Sequence, residues 1–67
     1  MQISGRNKLP SVIKEIVKDS VVSKVVMECQ GVEIVAVITT DSVESLNLAV
    51  GDKVEALIKA TEVMVIK

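Results

Sequence analysis

The apolar positions change period along the 67-residue chain. Between residues 11 and 29 they come in pairs, at 12/13, 16/17, 21/22 and 25/26. Pairs four apart suit one face of an amphipathic helix. The five-residue step from Val17 to Val22 breaks that phase at Asp19-Ser20, and eight of the 19 residues are Val or Ile. Such side chains fit a pleated sheet and lose rotamer freedom in a helix. The segment therefore predicts two strands, 11–18 and 20–29, joined by a tight turn at Asp19-Ser20. Apolar residues then fall on both faces, as when one face lines a core and the other meets a neighbouring subunit. Before them, residues 2–7 read as an extended arm. Pro10 belongs at a strand start or edge, because it cannot donate inside a central ladder.

Gln30-Gly31 marks the next turn, and 32–39 alternates as a strand with Val32, Ile34, Ala36 and Ile38 on one face. Asp41-Ser42-Val43-Glu44 then places a side-chain acceptor three residues ahead of a Glu, a capping-box-like start for a short helix through about Leu46. After a turn at Gly51-Asp52, residues 53–60 alternate with Val54, Ala56 and Ile58 facing in, and 62–66 form a last apolar run. The expected fold is all-β: a five-stranded OB-like barrel with one short helix between the third and fourth strands, in a single domain spanning 1–67.

Composition sharpens this. There are 14 Val and 7 Ile but no Phe, Tyr, Trp or His. A chain this short buries only about 60% of its unfolded surface. Without disulfides, metal ligands or aromatic bulk, oligomerisation is the remaining way to stabilise it. The charge of −1 and the missing rings argue against nucleic-acid binding, which uses a basic surface and base stacking. No apolar run is long enough to cross a bilayer, and residues 1–7 do not read as a signal peptide, so a cytoplasmic protein is expected. The lone Cys29 reads as a small apolar strand residue, and a transition-metal cation site would need carboxylates alone. With neither His nor Tyr, and with no cationic cluster beside the thiol, catalysis is not expected.

What remains is a kit for binding an oxyanion: one Arg, several Lys, hydroxyls, and main-chain amides beside small residues. It concentrates in two segments. Ser4-Gly5-Arg6-Asn7 holds a hydroxyl, the only Arg and an amide, and Lys59-Ala60-Thr61 holds an ammonium, a small residue and a hydroxyl. Each alone is weak evidence: taken singly, Arg6 reads first as half of a surface ion pair and Lys59 as a solvated strand residue.

Together they carry a resemblance. Ile3-Ser4-Gly5-Arg6-Asn7-Lys8-Leu9, Ile38-Thr39-Thr40-Asp41-Ser42-Val43 and Ile58-Lys59-Ala60-Thr61-Glu62-Val63-Met64 resemble the molbindins, the small molybdenum-pterin-binding (Mop) proteins of the TOBE domain class. The chain differs from the commoner pattern in Gly5 for Ala, Pro10-Ser11 for Lys-Gly, and the short turn at Gln30-Gly31. The resemblance implies a homohexamer, a trimer of dimers, that binds molybdate or tungstate at subunit interfaces for storage and homeostasis, without a further cofactor. It implies a pocket of Ser4, Arg6 and Asn7 from one subunit and Lys59, Ala60 and Thr61 from another, with Ser42 as a further contributor. A second site at the threefold axis would involve Ser20 and Val21, mainly through backbone. A regulatory or partner-binding subunit of molybdate or tungstate transport or gene control is the alternative. The shortness of the chain and its starting Met favour the free-standing store.

Overall fold

A computed structural model describes residues 7–67. Four strands form one antiparallel sheet: β1 (Asn7–Lys18), β2 (Val22–Cys29), β3 (Val32–Thr39) and β4 (Lys53–Ile58), in the order β3-β2-β1-β4. A six-residue helix α1 (Thr40–Ser45) follows β3, and a 3-10 turn (Ala60–Glu62) follows β4.

β1 changes partner along its length. Its first half, Asn7 to Val12, pairs with β4, and from Val12 onward it pairs with β2. Pro10 sits inside the strand, opposite Glu55, where β2 is not yet alongside. Its missing N–H therefore costs no ladder bond on that side. Just beyond, Ile13 pairs with Met27 and Glu15 with Val26, which leaves Lys14 as the extra residue of a bulge. That bulge explains the helix-like spacing. Ile13 and Ile16, three apart, would face opposite ways on a regular strand; one inserted residue restores both to the core side. There they meet Met27 and Val25 of β2, their register partners.

The core is Ile13, Val25, Met27, Val43 and Ala56, ringed by Leu9, Ile16, Ile34, Ala36, Ile38, Leu48 and Val54. The expected inward alternation of β3 and β4 is present, except that Val32 is exposed at the start of β3. Val35 and Val37 point outward and remain exposed, as does Val17 on β1. Met27 fills the core, and Cys29 is half-buried at the end of β2.

The turns follow their chemistry. Gln30 and Gly31 both have positive φ, 50° and 82°, the two-residue geometry whose twist matches the strands it joins. Helix α1 starts two residues earlier than expected. Its N-cap is Thr39, whose Oγ1 accepts from the Ser42 amide at 3.1 Å, and not Asp41. The helix ends in a Schellman motif with Asn47 in the left-handed position, φ 53°. The Leu48 amide returns to the Val43 carbonyl and the Asn47 amide to that of Glu44, each at 3.0 Å. Leu48 and Val43 both pack in the core, the apolar contact that accompanies this motif.

The expected fifth strand over 62–66 does not form, so the described residues make an open four-stranded sheet and not a closed five-stranded barrel. The strand run stops at Ile58 because Lys59–Glu62 closes a turn, with the Glu62 amide donating to the Lys59 carbonyl at 2.9 Å. Beyond it the chain is extended at Val63, φ −88° and ψ 128°, but it is hydrogen-bonded to no strand edge among the described residues.

Candidate functional site

The expected site residues divide between the two ends of β1. Ser4 and Arg6 lie outside the described residues. Asn7 opens β1 directly opposite Ile58, and its Nδ2 donates to the Ile58 carbonyl at 3.1 Å. This pairing sets the start of β1 beside the chain that continues into Lys59, Ala60 and Thr61. All three are exposed. Lys59 caps the 3-10 turn with extended backbone and without a side-chain bond to it. The ammonium of Lys59 pairs with no carboxylate among the described residues, where the one ion pair is Lys18 with Glu44 at 3.9 Å. The first amides of such a turn have no acceptor within it. An exposed cation, a hydroxyl and outward amides can together receive a small anion.

Ser42, Ser20 and Val21 stand at the opposite end, past the far end of β1. The 12 residues of β1 separate the two groups, about 36 Å of strand path at ~3.3 Å per residue. No single chain gathers them. Ser42 belongs to the start of α1, where its Oγ lies 2.7 Å from Thr39 Oγ1. At the Asp19–Val21 turn, the Ser20 amide is already engaged by Asp19 Oδ1 at 2.8 Å, which also sets a carboxylate beside it. The Val21 carbonyl accepts from the Thr40 amide at 2.9 Å. An anion reaching this end would meet Asp19 before it met a free Ser20 amide.

That end also contains a buried network that the sequence pattern did not reveal. Thr40 Oγ1 donates to the Asp19 carbonyl at 2.6 Å and lies 2.7 Å from Ser23 Oγ. Thr40 has one hydroxyl proton and gives it to Asp19, so Ser23 is the donor between the two. Ser23 is 1% exposed and Thr40 9%. The network pins α1 to the β1–β2 turn, and its signal in the sequence is a serine amid valines at 21–26. Among the described residues no group of His, Cys, Asp and Glu could hold a metal ion, and no helix is long and apolar enough to cross a membrane.

Residues 3–65 match the TOBE domain family. The chain belongs to that family. Within it the relatives are the molybdenum-pterin-binding proteins: protein 3 of Clostridium pasteurianum is 36% identical, and protein 1 is 37%, each over 98% of both chains. A TOBE fold of the same length is seen in the high-resolution structure of a molybdate-binding protein from Sporomusa ovata, with TM-score 0.95, 60% identity and complete coverage of both chains. MopII from Clostridium pasteurianum superposes with TM-score 0.91 at 36% identity, over 98% of this chain and all of that one. The Mop resemblance read from the terminal motifs is thus borne out over the whole chain. Like its TOBE relatives this is a binding protein and not an enzyme.

Proposed function

We propose that the chain binds molybdate or tungstate at the subunit interfaces of a homohexamer, a trimer of dimers, and stores or buffers the oxyanion in the cytoplasm. The observation that carries this reading is the 60% identity, at complete coverage, to a molybdate-binding protein. The pairing of Asn7 with Ile58 supports it from the geometry. Because Asn7 lies opposite Ile58, a contact between two such ends would bring Asn7 of one copy to Lys59, Ala60 and Thr61 of the other, and Ser4 and Arg6 are proposed to complete that pocket beside Asn7. Ser42, at the far end, joins such a pocket only from a further copy. The Ser20-Val21 backbone is proposed for a second site at a threefold axis.

A tetrahedral dianion is nearly balanced by one Arg and one Lys, with hydroxyls and amides supplying the remaining donors. Sulfate has the same charge and shape, so discrimination rests on pocket size. A pocket shared between copies exists only in the assembly, so anion and assembly stabilise each other by linkage. Native mass spectrometry in molybdate, tungstate, sulfate and phosphate tests the reading: a hexamer retaining the two larger oxyanions is expected, and a monomer retaining none would overturn it.

A further inference from the structure

The turn between β1 and β2 holds an anion of its own. Asp19 Oδ1 accepts from the Ser20 amide at 2.8 Å. The next amide, that of Val21, donates to no group among the described residues, and Val21 itself is 71% exposed. Successive main-chain amides at a turn are a cradle for an oxyanion. Here the first of the two is filled by a carboxylate oxygen of the same chain, standing where one oxygen of a bound oxyanion would stand.

Thr40 fixes this arrangement from the side of α1. Its Oγ1 donates to the Asp19 carbonyl at 2.6 Å and its amide donates to the Val21 carbonyl at 2.9 Å. In a trans peptide the N–H opposes the C=O, so the Asp19 carbonyl turned toward Thr40 sends the Ser20 amide the other way. That amide cannot withdraw without breaking a part-buried bond. The Asp19 side chain can: it is exposed, and its carboxylate takes no second hydrogen bond among the described residues. The surrounding charges set the sign. Asp19, Glu44 and Asp41 in the first turn of α1 gather at this end, and Lys18 pairs with Glu44 at 3.9 Å. Lys24, the one cation of β2, stands opposite Val17 and Val37 on the outward face. A dianion reaching the turn therefore meets a carboxylate that repels it and already holds its donor.

We propose that Asp19 is a built-in competitor at the second oxyanion site: its carboxylate occupies the Ser20 amide in the empty protein, and molybdate or tungstate binds the Ser20-Val21 backbone only by turning that carboxylate out. The inference rests on the second site of the proposed function and adds what regulates it. Copies of the turn gathered at a threefold axis bring their Asp19 carboxylates together, so one anion there displaces several of them. The turn then fills only after the pocket at the Lys59 end. Asp19 thereby gives the assembly a reserve that opens when the oxyanion is plentiful and stays shut when it is scarce.

The test titrates tungstate into the full chain, labelled with nitrogen-15, in wild-type, Asp19→Asn and Asp19→Ala forms. The Ser20 and Val21 amide resonances report the turn, and native mass spectrometry counts the anions. Asp19→Asn keeps an oxygen acceptor for the Ser20 amide but removes the charge; Asp19→Ala removes both. The competitor predicts a turn that titrates about tenfold tighter in Asp19→Ala than in wild type, a gain the size of one charge-assisted hydrogen bond, with Asp19→Asn between the two. The Ser23 and Thr40 amide resonances check that the turn keeps its fold, and if Asp19→Ala disturbs them, Asp19→Asn against wild type decides by the same comparison. Equal or weaker binding at the turn in the variants overturns the competitor and leaves the second site standing. Turn amides unmoved in all three proteins, at tungstate concentrations well above those that fill the Lys59 pocket, refute the second site and the competitor with it.

Discussion

Replacing Thr40 with Val removes a hydroxyl while keeping the shape of the side chain, and the buried network sets the cost. Two bonds are lost: the one Thr40 donates to the Asp19 carbonyl and the one it accepts from Ser23. The first costs ~0.5–1.5 kcal/mol as an ordinary hydrogen bond. The second costs more, because the Ser23 hydroxyl, 1% exposed, becomes an unpartnered buried donor at ~1–3 kcal/mol. Thr40→Val should therefore destabilise the fold by ~2–4 kcal/mol, while Ser23→Ala, which leaves the Thr40–Asp19 bond intact, costs only ~1 kcal/mol. The double variant decides. With Thr40 already Val, removing the Ser23 hydroxyl relieves an orphaned donor, so Ser23→Ala should raise stability there by ~1 kcal/mol although it lowers it in the native background. Urea unfolding at one fixed protein concentration measures all four proteins and keeps assembly from distorting the comparison. If Ser23→Ala destabilises both backgrounds equally, Ser23 is not the donor to Thr40 and the network reading is wrong.

Lys59→Ala should weaken molybdate and tungstate binding at least tenfold, as read by calorimetric titration, with the circular dichroism unchanged because Lys59 is exposed. Ile13→Ala, at a fully buried position facing Met27, should cost ~2–5 kcal/mol. In a domain of this size that is most of the folding free energy, so a soluble folded variant would be retained only with ligand or at high protein concentration. Asn47→Val places a β-branched residue at φ 53° and should cost ~1–2 kcal/mol in urea midpoint analysis, whereas Asn47→Gly should be close to neutral. Thr39→Ala removes the helix cap and should cost ~1 kcal/mol; no loss there would mean that α1 is held by its core contacts alone.

Much of the sheet was legible because period two is a local property. The β3 and β4 faces, the turn at Gln30-Gly31 and the break at Asp19-Ser20 all arise from neighbouring residues. The paired spacing of 11–29 stayed ambiguous until the Lys14 bulge supplied its cause, and a bulge depends on the partner strand. The cap falls on Thr39 and not on the expected Asp41 because β3 runs directly into α1, a path that the local sequence does not fix. The missing fifth strand has a similar origin: 62–66 has the composition of a strand, but a strand needs an edge, and the edge is not a property of the segment. For the site, the two terminal motifs identified the family, while the distance between Ser42 and Lys59 became visible only with β1 laid out between them.

The change of partner halfway along β1 also sets an order of assembly in time. β2 and β3 meet across a two-residue turn, and β1 joins β2 across a turn only slightly longer. Asn7 must find Ile58 across a separation of 51 residues, a far larger loop to close. The β1–β2–β3 meander is thus expected to form first, and the β1–β4 seam to form last and open first, with its amides exchanging ahead of the rest. The proposed oxyanion segment lies at the end of that seam. An anion bound there would fasten the least secure joint in the molecule, and the slowest-exchanging form of the protein should be the loaded one.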